Sequence, residues 1–229
     1  MTLVVTSTTG GLMDLATVSL HIASMWPRPI TVVEADPDGG RLAARHDWDV
    51  RPGLVDLATT VRSRSESSTR LAPLLRRHSD EVSVIVAPPA AEPIMASLPV
   101  LAQHHARLDE IVGTDVMIVV GRIRPDSPAN DLVRSADLRL LVSRTDLEDV
   151  VAVVHRADHL RALGSWQVLT AGGRYDANEV ARTVEWPVVA DLLPDTPKAS
   201  ARLRQSIRDL VDSVGSEAGL ESRVEAAVA

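Results

Sequence analysis

Three carboxylates, Glu34, Asp36 and Asp38, fall at alternate positions where an apolar run ends, with Gly39 and Gly40 directly behind them. Acids at the C-terminal end of a strand stand where ligand sites of open α/β sheets occur, and such a group can hold a metal ion or a water. Pro37 and the two glycines supply the geometry of a tight turn, so a turn is the favoured reading and a ligand site the other. A second glycine pair, Gly10-Gly11, separates the β-branched run Leu3–Thr6 from an apolar-periodic stretch. Strand, glycine bend and helix N-terminus, in that order, aim backbone N–H groups at an anion, and many proteins hold phosphates this way. The cation that would complete such a site is absent: the only lysine is Lys198, and the first arginine is Arg28.

The other reactive side chains make weaker cases. Ser7, Thr8 and Thr9 are three hydroxyls in a row, but no His or Asp partner can be assigned, and a helix-cap role is favoured. His155 and His159 stand at i, i+4, a spacing that can bind metal; with no third ligand nearby in sequence, a solvated helix face is the better reading. His104 and His105 are adjacent, so on a helix they point to different sides. There is no cysteine, hence no disulfide and no thiolate metal site. No metal site and no catalytic residue is assigned.

The elements that must position these groups alternate. Buried-strand runs lie at 3–6, 30–36, 82–89, 115–121, 138–143, 166–173 and 186–194, apolar throughout rather than alternating. Such strands are covered on both faces. Between them come helical patterns: 12–26, with Leu15, Val18, Ile22 and Trp26 on one face; a short one from Gly53; 71–77; 92–108 after Pro93; 130–134; a long amphipathic one over 145–163; 176–184; and a closing helix marked by Leu203, Ile207, Leu210 and Val214. Asp176 followed by Glu179 is a capping-box pattern. Residues 62–68 read as an exposed polar loop. Strand–helix alternation predicts a doubly wound, mostly parallel sheet of about seven strands in one α/β domain, residues 1–214. The acidic tail 215–229 reads as either a frayed helix or disorder.

Composition narrows the function. The chain has 229 residues, nearly half of them apolar, with four Trp, one Tyr and no Phe, so the core is aliphatic. The formal net charge is −7. That argues against a general nucleic-acid backbone binder, which would want a basic face. No apolar run reaches the length of a transmembrane helix. The N-terminus lacks a signal-peptide pattern, so a cytoplasmic location is expected. The closing helix has an apolar stripe, but its acidic end makes membrane contact a poor reading. Arginine in place of lysine, with much Ala and Val, is the composition of a GC-rich bacterial source.

Taken together these segments resemble the MinD/ParA family of deviant P-loop ATPases, including the CpaE/TadZ-like members that position pili. The family's KGGxGKT loop falls on Thr9, Gly10, Gly11, Leu12, Met13, Asp14 and Leu15. The two leading glycines are kept. Both lysine positions are lost, to Thr9 and Asp14; the third glycine is Met13, and Leu15 stands where a Thr or Ser would bind magnesium. The family's DADPxGG segment is matched by Glu34 to Gly40, and its PGL-DL element by Pro52, Gly53, Leu54, Asp56 and Leu57. In the Walker B-like strand Asp115–Gly121, the terminal acid has become Val119 or Val120. The stretches from Ser135 and from Trp186 resemble the family's later strands.

The resemblance implies a P-loop NTPase-like fold, ATP with Mg²⁺ as ancestral cofactor, and face-to-face dimers. The contact surface implied is the region of Gly10, Gly11, Asp36 and Pro125 to Pro128. The altered loop implies something else about chemistry. Two like unit charges at ~4 Å repel by about 4 kcal/mol at an effective dielectric near 20, which weakens binding of a triphosphate beside Asp14 about a thousandfold. Asp14 can instead meet the positive helix end, a gain of about 0.3–1 kcal/mol. The expectation is a pseudo-ATPase, not an enzyme, with no cofactor, working through a protein partner or as a homodimer. The alternative is an ATPase switch with a non-standard phosphate site, in which Arg122 or Arg124 replaces lysine, acting in cell division, partitioning or pilus positioning.

Overall fold

The structure is a computed structural model that describes residues 1–9, 14–63, 71–192 and 196–228, with side chains as far as residue 215. Its strands are β1 Thr2–Ser7, β2 Ile30–Glu34, β3 Arg76–Arg77, β4 Val82–Ile85, β5 Asp115–Arg122, β6 Leu138–Ser143, β7 Gln167–Thr170 and β8 Val188–Asp191. Its α-helices are α1 Leu15–Ala23, α2 Leu42–Arg45, α3 Leu54–Arg62, α4 Ala91–Gln103, α5 Leu108–Val112, α6 Asn130–Ser135, α7 Leu147–His155, α8 Ala157–Leu163, α9 Ala177–Val184 and α10 Pro197–Val228.

All eight strands form one sheet in the order β3-β4-β2-β5-β1-β6-β7-β8. Every pairing is parallel except that of β3 with β4. The central strands are buried on both sides, which accounts for their unbroken apolar runs. One face carries Leu54 and Leu57 of α3, Ile94 and Leu98 of α4, Leu132 of α6, Val150 and Val153 of α7, Leu160 of α8 and Val180 of α9. The other carries Leu20 and Ile22 of α1, Leu42 of α2, and Leu203, Ile207 and Leu210 of α10. The fold is therefore doubly wound α/β, with the seven predicted strands present and an eighth added.

That eighth strand corrects the helix predicted over 71–77. Leu71 to Leu74 make a 3₁₀ turn over Ala72–Leu74, in which i and i+3 share a face as they do in an α-helix. Leu75 is then extended, and Arg76 pairs with Val84. The single helix predicted over 145–163 is two, α7 and α8, because Arg156 leaves helical backbone at φ −104°, ψ 5°. Residues 92–108 divide likewise: α4 ends at Gln103 and a 3₁₀ turn covers His105–Arg107. The closing helix is longer than predicted and continues to Val228, through the boundary drawn at 214. Most of the predicted loop 62–68 lies outside the described residues.

Candidate functional site

The chain leaves β1 for β2, which lies beyond β5, and later returns to β6 on the other side of β1. Crevices open at the strand ends where such an order reverses. Here a cleft of about 240 Å³ sits at the C-terminal ends of β1, β2 and β5, lined by Ser7, Thr9, Asp14, Leu15, Glu34, Asp36, Asp38, Gly39, Arg41, Gly121 and Arg122 among others.

Glu34 ends β2 and is 1% exposed. One carboxylate oxygen, Oε1, accepts the backbone N–H groups of Arg41 at 2.6 Å and Leu42 at 3.0 Å. The other, Oε2, accepts that of Ala87 at 3.1 Å. Glu34 thus ties the segment after β2 to the end of β4. Burial pushes its carboxyl above the ordinary value, with the three N–H donors opposing. Asp36 is the turn residue proper: its Oδ1 accepts the N–H of Asp38 at 2.9 Å, an Asx turn. Burial raises its carboxyl too, and Asp38's N–H and the charges of Arg41 and Arg124 pull it back. Gly121 has φ +64°, and a Cβ there would stand 2.2 Å from the Asp36 carboxylate. That contact is why glycine stands one residue before the end of β5, and the acids form the turn that their spacing favoured.

Asp14 immediately precedes α1 at φ −76°, ψ 99°, yet its side chain caps no backbone N–H. It forms an ion pair with Arg45 of α2 and accepts the Thr17 hydroxyl at 2.7 Å, and Arg45 also donates to that hydroxyl. The carboxylate expected to meet the helix end is thus held by a guanidinium. Of the other loop positions, Leu15 is 8% exposed and lines the cleft, whereas Gly10, Gly11, Leu12 and Met13 lie outside the described residues.

The hydroxyl row is not a cap either, since α1 begins too far along the chain. The Ser7 hydroxyl donates to the carbonyl of Thr9 at 2.9 Å. Thr9 Oγ1 donates to Asp149 Oδ1 of α7 at 2.6 Å, and Thr8 Oγ1 is buried with no hydrogen-bond partner among the described residues. His155 and His159 fall on separate helices, so their spacing is not that of one helix face. Among the described residues no three His, Asp or Glu side chains are arranged to hold a metal ion, and no helix is long and apolar enough to cross a membrane. Arg41 and Arg122 line the cleft, and Arg124 lies 3.8 Å from Asp38, so cations reach the site from the residue before α2 and from the end of β5 and the segment after it. Of the cations, the sequence points to Arg122 and Arg124; the signal for the others is that Arg41 directly follows the Asp36 segment and Arg45 stands one helix turn beyond it.

No protein-family model matches the chain, and neither does any curated protein. Solved structures do match. A ParA family ATPase from Chlorobium tepidum is 14% identical, with a TM-score of 0.64 over 91% of this chain and 90% of that one. The cell division ATPase MinD of Pyrococcus furiosus is 15% identical, with a TM-score of 0.66 over 91% of this chain and 98% of that one. A chain of the Aquifex aeolicus MinC:MinD cell division complex is 12% identical, with a TM-score of 0.63 over 92% and 96%. The cleft thus sits in a frame shared with ATPases of cell division, and the chain has the fold of the MinD and ParA ATPases.

Proposed function

We propose that the chain is a MinD/ParA-like pseudo-ATPase: a cytoplasmic protein-binding scaffold or positioning factor that does not hydrolyse ATP. The observation that carries this reading is the pairing at the start of α1. Asp14 stands where the family's loop lysine would grip a triphosphate, and it is already engaged by Arg45 and Thr17. Leu15 offers no oxygen to magnesium. The residues present, Asp14 and Leu15, do not fit Mg²⁺-ATP at this bend. Asp36 and Glu34 hold the turn instead of a ligand. A partner protein, or a second copy, is then what the fold has left to bind.

The test is turnover and binding together. Purified protein should release no phosphate from ATP above buffer, with or without Mg²⁺, and calorimetry should record no heat with ATP or ADP. Turnover that disappears in Asp36→Ala would overturn the proposal. One observation favours a second reading, a nucleotide-binding switch: Arg41 and Arg122 line the cleft, and a guanidinium can hold phosphate by two hydrogen bonds. That reading requires micromolar ATP binding that is lost in Arg122→Ala.

A further inference from the structure

We propose that His46 and His78 form a binding site for a divalent transition-metal ion of the imidazole-binding class, such as copper(II) or zinc. His46 directly follows α2, and His78 directly follows β3, the edge strand of the sheet. Arg76 of β3 draws the two segments together: its guanidinium donates to the carbonyls of Asp49 at 3.3 Å and Pro52 at 3.1 Å. The ring centres of His46 and His78 are 5.5 Å apart, with the planes at 83°. Trp48 stacks on His46 at 4.5 Å and 18°, which fixes the imidazole's orientation. His46 Nε2 is buried with no hydrogen-bond partner among the described residues. A proton on Nδ1 leaves Nε2 an unpaired acceptor, and a proton on Nε2 leaves it an unpaired donor. Either is costly when buried, and an ion on the lone pair removes the cost.

The ring geometry suits a shared ion. Two imidazole nitrogens about 2.0–2.1 Å from one tetrahedral metal set their ring centres about 5 Å apart. Planes that cross at 83° share a line on which an ion lies in the plane of both rings, where ring-nitrogen lone pairs point. His78 is exposed, so its ring can turn about Cβ–Cγ to present a nitrogen. Burial, and then the charges of His78 and Arg45, hold His46 below the ordinary imidazole value, and the neutral form is the one that ligates. In the chain around the two histidines, Asp47, Asp49, Asp80 and Glu81 offset Arg45, Arg76 and Arg77, so the neighbourhood does not repel a dication. The site has two protein ligands, with water completing the coordination, and so differs from the three-residue groups that the described residues lack. Copper(II) should bind more tightly than zinc. A bound ion clamps the end of α2 to the turn between β3 and β4. None of this rests on the reading of the cleft, so ATP turnover or its absence has no bearing on it.

The chain has no cysteine, so no thiolate competes for the probe. Copper(II) chloride titrated by calorimetry into the untagged chain, in a non-coordinating buffer at neutral pH, should bind one ion per chain. The paramagnetic resonance spectrum of that complex should show two nitrogen ligands, and acidification should release the ion as the imidazoles protonate. His78→Gln, at an exposed position, should keep the circular dichroism of wild type and weaken binding about tenfold or more, and His46→Gln should weaken it likewise. Replacing His155 and His159 by Gln together should leave binding unchanged; His159 Nε2 is also buried without a partner among the described residues, but no second imidazole ring meets it there. Copper bound as tightly by His78→Gln as by wild type, a spectrum with one nitrogen or none, or no binding at all would overturn the proposal.

Discussion

Glu34 offers the sharpest test of how the cleft is held. At 1% exposure its carboxylate accepts three backbone N–H groups from two segments. Removing the side chain in Glu34→Ala leaves all three donors buried, each costing about 1–3 kcal/mol, while relief from burying a carboxyl offsets part; the net loss is about 3–5 kcal/mol. That is a large share of a typical stability of about 5–15 kcal/mol. Glu34→Gln is subtler. Its amide oxygen can keep Arg41 and Leu42, but its amide nitrogen has no lone pair for the N–H of Ala87, whereas a protonated carboxyl still has one. The glutamine defect at mildly acid pH is therefore about 1–3 kcal/mol, or about 2–10 °C in Tm at this chain length.

Linkage fixes how that defect changes with pH. The folded-state carboxyl of Glu34 is raised above the unfolded value of 4.5 by burial. The folded protein then binds this proton more tightly than the unfolded chain does. The stability from this group is fully present below the unfolded value and is lost as pH rises through the folded one. Glutamine cannot titrate, so wild type minus Glu34→Gln should shrink as pH climbs from the acid side toward neutrality. Urea melts followed by far-ultraviolet circular dichroism at several pH values measure it. A glutamine defect that grows with pH would show that the charged carboxylate is the preferred form, and the argument from burial would fail.

Three further substitutions follow from the same geometry. Gly121→Ala puts a methyl 2.2 Å from the Asp36 carboxylate at φ +64°; it should cost about 2–4 kcal/mol and lower Tm by several degrees, and a melt within a degree of wild type would contradict it. Asp176→Ala removes the acceptor for the N–H groups of Asn178 and Glu179 at the start of α9; about 1 kcal/mol should be lost, read as a Tm drop of about 2–4 °C. Asp14→Ala breaks a pair whose partner Arg45 is 44% exposed; after solvent screening about 0–1 kcal/mol is at stake, and a loss several times larger would mean the pair holds more than itself.

The sheet was legible because its strands announce themselves. Val116 to Val120 is apolar without alternation, and only burial on both faces requires that. The capping box at Asp176 and Glu179 was legible because it is local, and both of its hydrogen bonds form. β3 was not. It is two arginines, Arg76 and Arg77, whose strand character comes wholly from pairing with β4, and the Leu71–Leu74 spacing before it suits a 3₁₀ turn as well as a helix. The break between α7 and α8 was hidden for a related reason: Val150, Val153, Ala157 and Leu160 keep a helical apolar rhythm across Arg156.

In the cleft the division is sharper. The Asp36 turn could be read because acid, proline and glycines are neighbours in the chain. What neutralises the acids could not. Arg45 reaches Asp14 only because α2 packs on the same sheet face as α1, and Thr9 reaches Asp149 across 140 residues. The absence of a cation near Asp14 in sequence was therefore a statement about the chain and not about the fold. The ion pair itself adds little stability, since both groups keep water. On the proposed function, its consequence is that the guanidinium beside Asp14 is already engaged by a carboxylate of the same protein. A triphosphate entering there would have to win Arg45 from Asp14 while facing that acid's charge, and both demands act against it.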